Sequence, residues 1–321
     1  MALLAVTTFY FVSGFWAWWC ALGVMAFFWS ASLPLFESLT LDKLQRHGGD
    51  YSRVRLWGSV GFIATVSGAG WLLDRLPIDS IRAMLLAMLV GIMVFALLAR
   101  DPFAHHRPGI RQPIWPVLRT PRVAALLAAC FAMSAAHGAF YLFFSIYLAG
   151  HGYSQTAIGL LWSLGVLAEI GVFLFMAPLF RRFSTRHILL ACFAAAMLRF
   201  LMTGWGADWL IFLVIAQLLH ALSFGAFHSA SIQSVNRWFP AGCQGRGQAL
   251  YSSLSFGAGG LLGGLVAGAL WDGAGGEVAF TVSAGFALLG GALVFSGVSL
   301  SDDRADDAAS LSGRSILPDD N

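Results

Sequence analysis

The sequence predicts an all-α membrane protein of about ten transmembrane helices, and three observations carry that expectation. Charged residues make up 11% of the 321, against roughly 25% in soluble domains, while 58% are hydrophobic. Mean hydropathy is +0.75. Apolar runs long enough to cross a bilayer recur from one end of the chain to the other. No soluble core of this size needs so little polar surface.

The elements follow in order. Residues 2–36 are almost unbrokenly apolar, with Ser13-Gly14 as the break. At about 1.5 Å per residue this run is too long for one crossing of a core roughly 30 Å thick and too short for two. A clipped first helix over 1–13 and a second over 16–37 satisfy both limits. After the polar stretch from Asp42 to Arg55, a third span begins at Leu56-Trp57-Gly58 and ends near Asp74-Arg75, and a fourth runs over 82–99. Five prolines (Pro102, Pro108, Pro113, Pro116 and Pro121) then break the pattern, among Arg and His, so 100–121 reads as a linker between two bundles. Six further spans are expected over 122–148, 156–180, 187–204, 207–236, 246–271 and 278–298. The organisation is therefore a truncated N-terminal bundle (1–99), a linker (100–121), a six-helix bundle (122–298) and a tail (299–321). The tail is rich in Asp and Ser and reads as disordered.

Orientation follows from the basic residues. With loops assigned alternately, sixteen of the nineteen Lys and Arg fall on one side, only Arg75 and Arg82 on the other, and Arg199 inside a span. The positive-inside rule makes the crowded side cytoplasmic, the linker and C-terminus with it. No basic segment precedes the first apolar residue, so a signal peptide is not indicated. Cys20, Cys130, Cys192 and Cys243 form no CxxC pair and read as small apolar residues.

The chemistry is concentrated in three neighbouring spans. Glu169, Arg199, and the pair His220 and His228 interrupt otherwise apolar runs. An ionised side chain at bilayer depth costs about 2.5–3.5 kcal/mol even on lenient scales, so such residues face a protein interior or a hydrated path. An acid, a base and two titratable imidazoles on adjacent spans point to a transport pathway. Arg199 has a second reading as an interfacial residue snorkelling from a helix end, and His137 has one as a hydrogen-bonded packing residue. A metal site fits poorly, because His220 and His228 stand eight apart, about 12 Å along a helix. Phosphate loops and nucleophile elbows are missing, so no enzyme and no cofactor is expected, with protons as the coupling ion. The Arg clusters are explained by topology, which leaves nucleic-acid binding without support. Gly260, Gly264 and Gly268 are spaced for close helix packing.

Shifting the chain by 191 residues lays Phe36 on Phe227, Ser38 on Ser229, Arg46 on Arg237 and Arg55 on Arg246. Glu37 to Arg55 and His228 to Arg246 are both 18 residues. Parallel halves related by an axis along the membrane normal would produce this pattern. The same shift leaves 122–191 without a counterpart, so two helices, about 70 residues, are expected to be absent before Met1.

These features resemble the major facilitator superfamily. Pro34-Leu35-Phe36-Glu37 with Tyr51-Ser52-Arg53-Val54-Arg55-Leu56-Trp57-Gly58 is similar to the lactose permease group and its phenylpropionate permease-like and nucleoside permease-like relatives. Gln217-Leu218-Leu219-His220-Ala221 and Gly165-Val166-Leu167-Ala168-Glu169-Ile170 resemble the phenylpropionate permease-like branch most. The resemblance implies the major facilitator fold, with four helices of the first bundle and all six of the second. It implies that Glu37 and Arg55 hold solute, as an acid and an arginine hold sugar in lactose permease; His137 and His228, polar residues within apolar spans, are counted with the substrate set on their own account. It implies that Arg199 and His220 serve proton coupling, with Glu169 resembling that permease's eighth-helix acid. Ser223 stands where lactose permease has its proton-carrying glutamate, so coupling by that residue is excluded. The expected activity is proton-coupled uptake of an aromatic acid such as phenylpropionate, or of a sugar or nucleoside, by a monomer in the lipid bilayer. A fragment or scaffold that does not transport is the alternative from another class, and a membrane enzyme a distant third.

Overall fold

The computed structural model describes residues 2–30, 40, 51–98, 113–240 and 243–299, and every regular element among them is helical. Two compact units divide the chain, Met1–Pro108 and Gly109–Asn321. Most of the expected linker and all of the tail beyond Ser299 lie outside the described residues.

In the first unit, α1 (Ala2–Thr7) continues as a 3-10 turn, Thr8–Tyr10, and the chain breaks before α2 (Phe15–Ser30). The break falls where Ser13-Gly14 predicts it, and Gly14 takes φ +89°, a left-handed conformation that glycine adopts without penalty. α1 is thus shorter than the expected 1–13. α3 (Tyr51–Leu73) and α4 (Ser80–Leu98) follow. Val6, Phe9 and Leu89 form a small core, extended by Trp18, whose ring lies 4.9 Å from that of Phe9.

The second unit holds α5 (Pro121–Gly150), α6 (Gln155–Arg182), α7 (Thr185–Trp205), α8 (Leu210–Trp238), α9 (Gln244–Ala274) and α10 (Gly276–Gly297). These six, with α4 and Leu56–Leu73 of α3, are long and apolar enough to cross a membrane, which makes eight candidate spans. Ser154 and Ser184 cap α6 and α7 by accepting from the amides of Ala157 and His187. Arg181 and Arg182 occupy the last turn of α6, where the helix dipole favours a cation. α10 packs against both α5 and α7.

Two departures from the expected helices position the site. α5 kinks at His137, between its segments Pro121–Ala136 and Gly138–Gly150. α8 and α9 are each interrupted by a π-helical segment, Ala221–Ala226 and Ser253–Gly259. The glycine packing also falls in a different register. A side chain on Gly263 would enter the backbone of Ala135, and one on Gly138 the backbone of Gly263, so α5 and α9 touch main chain to main chain. Gly260 and Gly268, by contrast, have only ordinary contacts, at 3.8 and 3.9 Å. The main-chain contact is therefore made by Gly259 and Gly263, one residue before the expected Gly260 and Gly264, while Gly264 is close only to a side chain, Leu142 Cδ1 at 2.8 Å. The π segment supplies the physical reason, because its wider turn rotates the face of everything after it.

Candidate functional site

Arg199 anchors the site from the middle of α7, and its exposure is 0%. The snorkelling reading is therefore corrected: the guanidinium points into the bundle. Its Nη1 lies 3.1 Å from His137 Nε2, 2.9 Å from His220 Nδ1 and 2.8 Å from Ser223 Oγ. Its face lies over two rings, with Cζ 4.2 Å from the centroid of Phe140 and 4.8 Å from that of Phe200. Nε and Nη2 are buried and make no hydrogen bond among the described residues. A fully buried cation is thus held by neutral imidazoles, a hydroxyl and π faces, with donors to spare.

The network assigns both tautomers. His137 Nδ1 lies 2.8 Å from the Met133 carbonyl, which can only accept, so Nδ1 carries the hydrogen and Nε2 accepts from Arg199. His220 Nδ1 likewise accepts, leaving its hydrogen on Nε2. Ser223 accepts from Arg199 and lies 3.3 Å from the His220 carbonyl, to which it donates.

Parallel rings continue from this cluster. His220 stacks on Phe224 at 5.3 Å and 7°, and Phe224 on His228 at 6.2 Å and 7°. Spacings of four residues across the π segment place the three rings in one column. His228 Nδ1 then meets the Tyr251 hydroxyl at 2.8 Å. Beside the column lies a small cleft whose walls include His137, Tyr141, Phe224, His228, Tyr251 and Phe256. Ser223 and Ser255 also line it, as does Cys130, whose thiol donates to Ser231. Arg199 lies behind this wall and is reached through His137 and Ser223.

Glu169 approaches the same π segment from α6. A methyl on Gly225 would fall 2.7 Å from Glu169 Cγ, so the missing side chain at 225 makes room for the acid. Gly165, one turn earlier on α6, does the same for Gln217 Oε1, at 2.9 Å. His220, Ser223 and Gly225 thus hold their neighbours within a single turn. Of the expected substrate residues, His137 and His228 line the cleft, and the two readings of His137 merge, since it is buried, bonded and at the wall. Glu37 lies outside the described residues, and Arg55 falls in α3 with its side chain outside them.

Tyr141, Phe224, Tyr251, Ser255 and Phe256 escaped sequence reasoning. Aromatic and hydroxyl residues are ordinary in membrane helices, so none stood out singly. One signal was there: Leu-Ser-Phe-Gly-Ala occurs twice, at 222–226 and 254–258.

Comparison with known proteins gives a consistent set. A model of the MFS_1 like family matches residues 1–282. The probable 3-phenylpropionic acid transporter of Escherichia coli (strain K12) is 32% identical over 271 residues, covering 80% of this chain and 70% of that protein. The maltose permease of Geobacillus stearothermophilus is 29% identical over 247 residues, 76% of this chain and 62% of the permease. The crystal structure of the nucleoside transporter NupG superposes with a TM-score of 0.75 at 18% identity, covering 92% of this chain and 79% of that one. Its D323A mutant gives 0.79 at 17%, covering 93% and 81%. At these identities the structural likeness speaks to the fold.

Proposed function

The chain belongs to the MFS_1 like family of major facilitator transporters, and from that premise we propose that it carries a small organic anion bearing a planar ring, together with a proton. It is an integral membrane protein of the major facilitator fold. The observation that supports this solute class is Arg199, a buried cation with unpartnered donors behind a cleft walled by aromatic rings. Carboxylates complement a guanidinium better than any neutral group does, and aromatic walls suit a flat apolar ring. The relative named for 3-phenylpropionic acid points the same way.

Glu169 is the proton carrier in this reading, with His220 and Arg199 tying its state to occupancy of the cleft. Support comes from Arg199 bonding His220 and Ser223 while Glu169 lies against Gly225 of the same π segment. Glu37 and Arg55 hold the solute from the first bundle, and His137 and His228 from the second. No cofactor is needed beyond the coupling proton. The protein works as a monomer in the inner membrane with linker and C-terminus cytoplasmic, a placement supported by the crowding of sixteen basic residues on one side.

The test is uptake into proteoliposomes of radiolabelled 3-phenylpropionate, maltose and a nucleoside, with and without an imposed pH gradient. Gradient-driven accumulation of the acid is expected in the wild type, and Glu169→Gln should abolish it while leaving solute exchange measurable. Accumulation by the variant equal to the wild type would remove Glu169 from coupling. Uptake of maltose or the nucleoside in preference to the acid would overturn the solute class.

A further inference from the structure

Leu222-Ser223-Phe224-Gly225-Ala226 and Leu254-Ser255-Phe256-Gly257-Ala258 are identical in sequence. Each forms a π-helical segment in the interior of its span, on α8 and on α9, and each presents its Ser and Phe to the same cleft. A π turn inside a membrane helix is uncommon and tends to mark a functional position. Two identical ones facing one cavity form a matched pair.

The copies differ in what they touch. The first is fully engaged: Ser223 bonds Arg199, Phe224 is stacked between His220 and His228, and Gly225 seats Glu169. The second is open. Among the described residues a Cβ on Gly257 would meet nothing within 4 Å, and Phe256 is 51% exposed, its ring near those of Tyr251 and His228. Ser255 is 3% exposed and lines the cleft, yet its hydroxyl has no hydrogen-bond partner among the described residues.

That hydroxyl is the anomaly. Buried serines in helices ordinarily satisfy themselves on the carbonyl four residues back, as Ser163 does on Gly159 and Ser234 on Ala230. Ser255 does not, and leaving a buried hydroxyl unpaired is costly. A group kept in that condition at a cavity wall is kept for a visitor.

We propose that Ser255 is a specificity-determining contact that hydrogen-bonds an oxygen of the solute while Phe256 closes on the solute's ring. The first copy of the pentapeptide then organises the charged cluster, and the second reads the solute. The inference rests on the reading of the cleft as the solute site, and deepens it by naming the chemistry: a flat ring with a carboxylate or hydroxyl oxygen within reach of α9.

Ser255→Ala and Ser255→Cys in the full chain, reconstituted in proteoliposomes, test it through counterflow of radiolabelled 3-phenylpropionate. Loss of one hydrogen bond to a solute oxygen should raise KM about tenfold with the maximal rate kept. Melting of the solute-free protein is the second measurement. Removing an unpaired hydroxyl should leave the melting temperature unchanged or higher, and saturating 3-phenylpropionate should raise it less in Ser255→Ala than in the wild type. An unchanged KM in a variant of a wild type that transports the acid overturns the role of Ser255 and leaves the cleft reading standing. A melting temperature several degrees lower in the solute-free variant also overturns it, since the hydroxyl would then be satisfied within the protein. A wild type that neither binds nor exchanges the acid overturns the cleft reading, and this inference with it.

Discussion

Arg199 sets two demands against each other. Burial strips a guanidinium of water, and neutral partners return only part of what is lost, so a cation held this way costs stability that an apolar side chain would not. Arg199→Met, similar in length and free of charge, is therefore expected to keep or raise the melting temperature while reducing 3-phenylpropionate uptake to background. Thermal unfolding in detergent beside vesicle uptake checks both halves, and a large fall in melting temperature would mark the arginine as a structural element instead. At this scale the sequence was informative where polarity was out of place: Glu169, Arg199 and His220 are conspicuous in apolar runs, Arg199 bonds His220 and Ser223, and Glu169 lies against Gly225 two residues further on. Ser255 and Phe256 were invisible for the opposite reason. Their types are unremarkable in a membrane helix, and what distinguishes Ser255 is a missing partner, which only geometry reveals.

At the scale of elements, helix positions were legible and helix faces were not. Length, hydropathy and punctuation predicted each span of the second unit to within a few residues at either end. The rotation of α9 was missed because a glycine-rich run admits several registers, and a π segment upstream changes which of them faces α5. Gly263→Ala is accordingly expected to destabilise by about 1–3 kcal/mol or more, as an overpacked contact that the Ala135 backbone cannot yield to. Gly260→Ala should be tolerated, its nearest neighbour being Ser134 Oγ at 3.8 Å. Equal melting temperatures for the two variants would show that the tight face has been placed on the wrong glycine.

For the whole molecule the governing quantity is the sidedness of charge. His151, at the end of α5, and Asp208, after α7, lie 3.9 Å apart, so these two ends share a side of the membrane. Arg181 and Arg182 belong to the opposite side by alternation. Asp208→Cys in a Cys20→Ser background should react with an impermeant maleimide on intact cells, and Arg182→Cys only in inverted vesicles. The other three thiols are buried and should stay silent. Labelling of both from the same face would dismantle the assigned orientation. The division into two bundles was legible from five prolines and a run of arginines, whereas the placement of Glu37 and of the tail lies outside the described residues.

The setting of Arg199 also bears on when such a carrier turns over. Its guanidinium is held by two imidazoles, a hydroxyl and two ring faces, with Nε and Nη2 left for the anion proposed above. On the proposed reading, an anion reaching the cleft would draw on those donors from within the bundle. The charge proposed to select the cargo would then also govern when the carrier turns over.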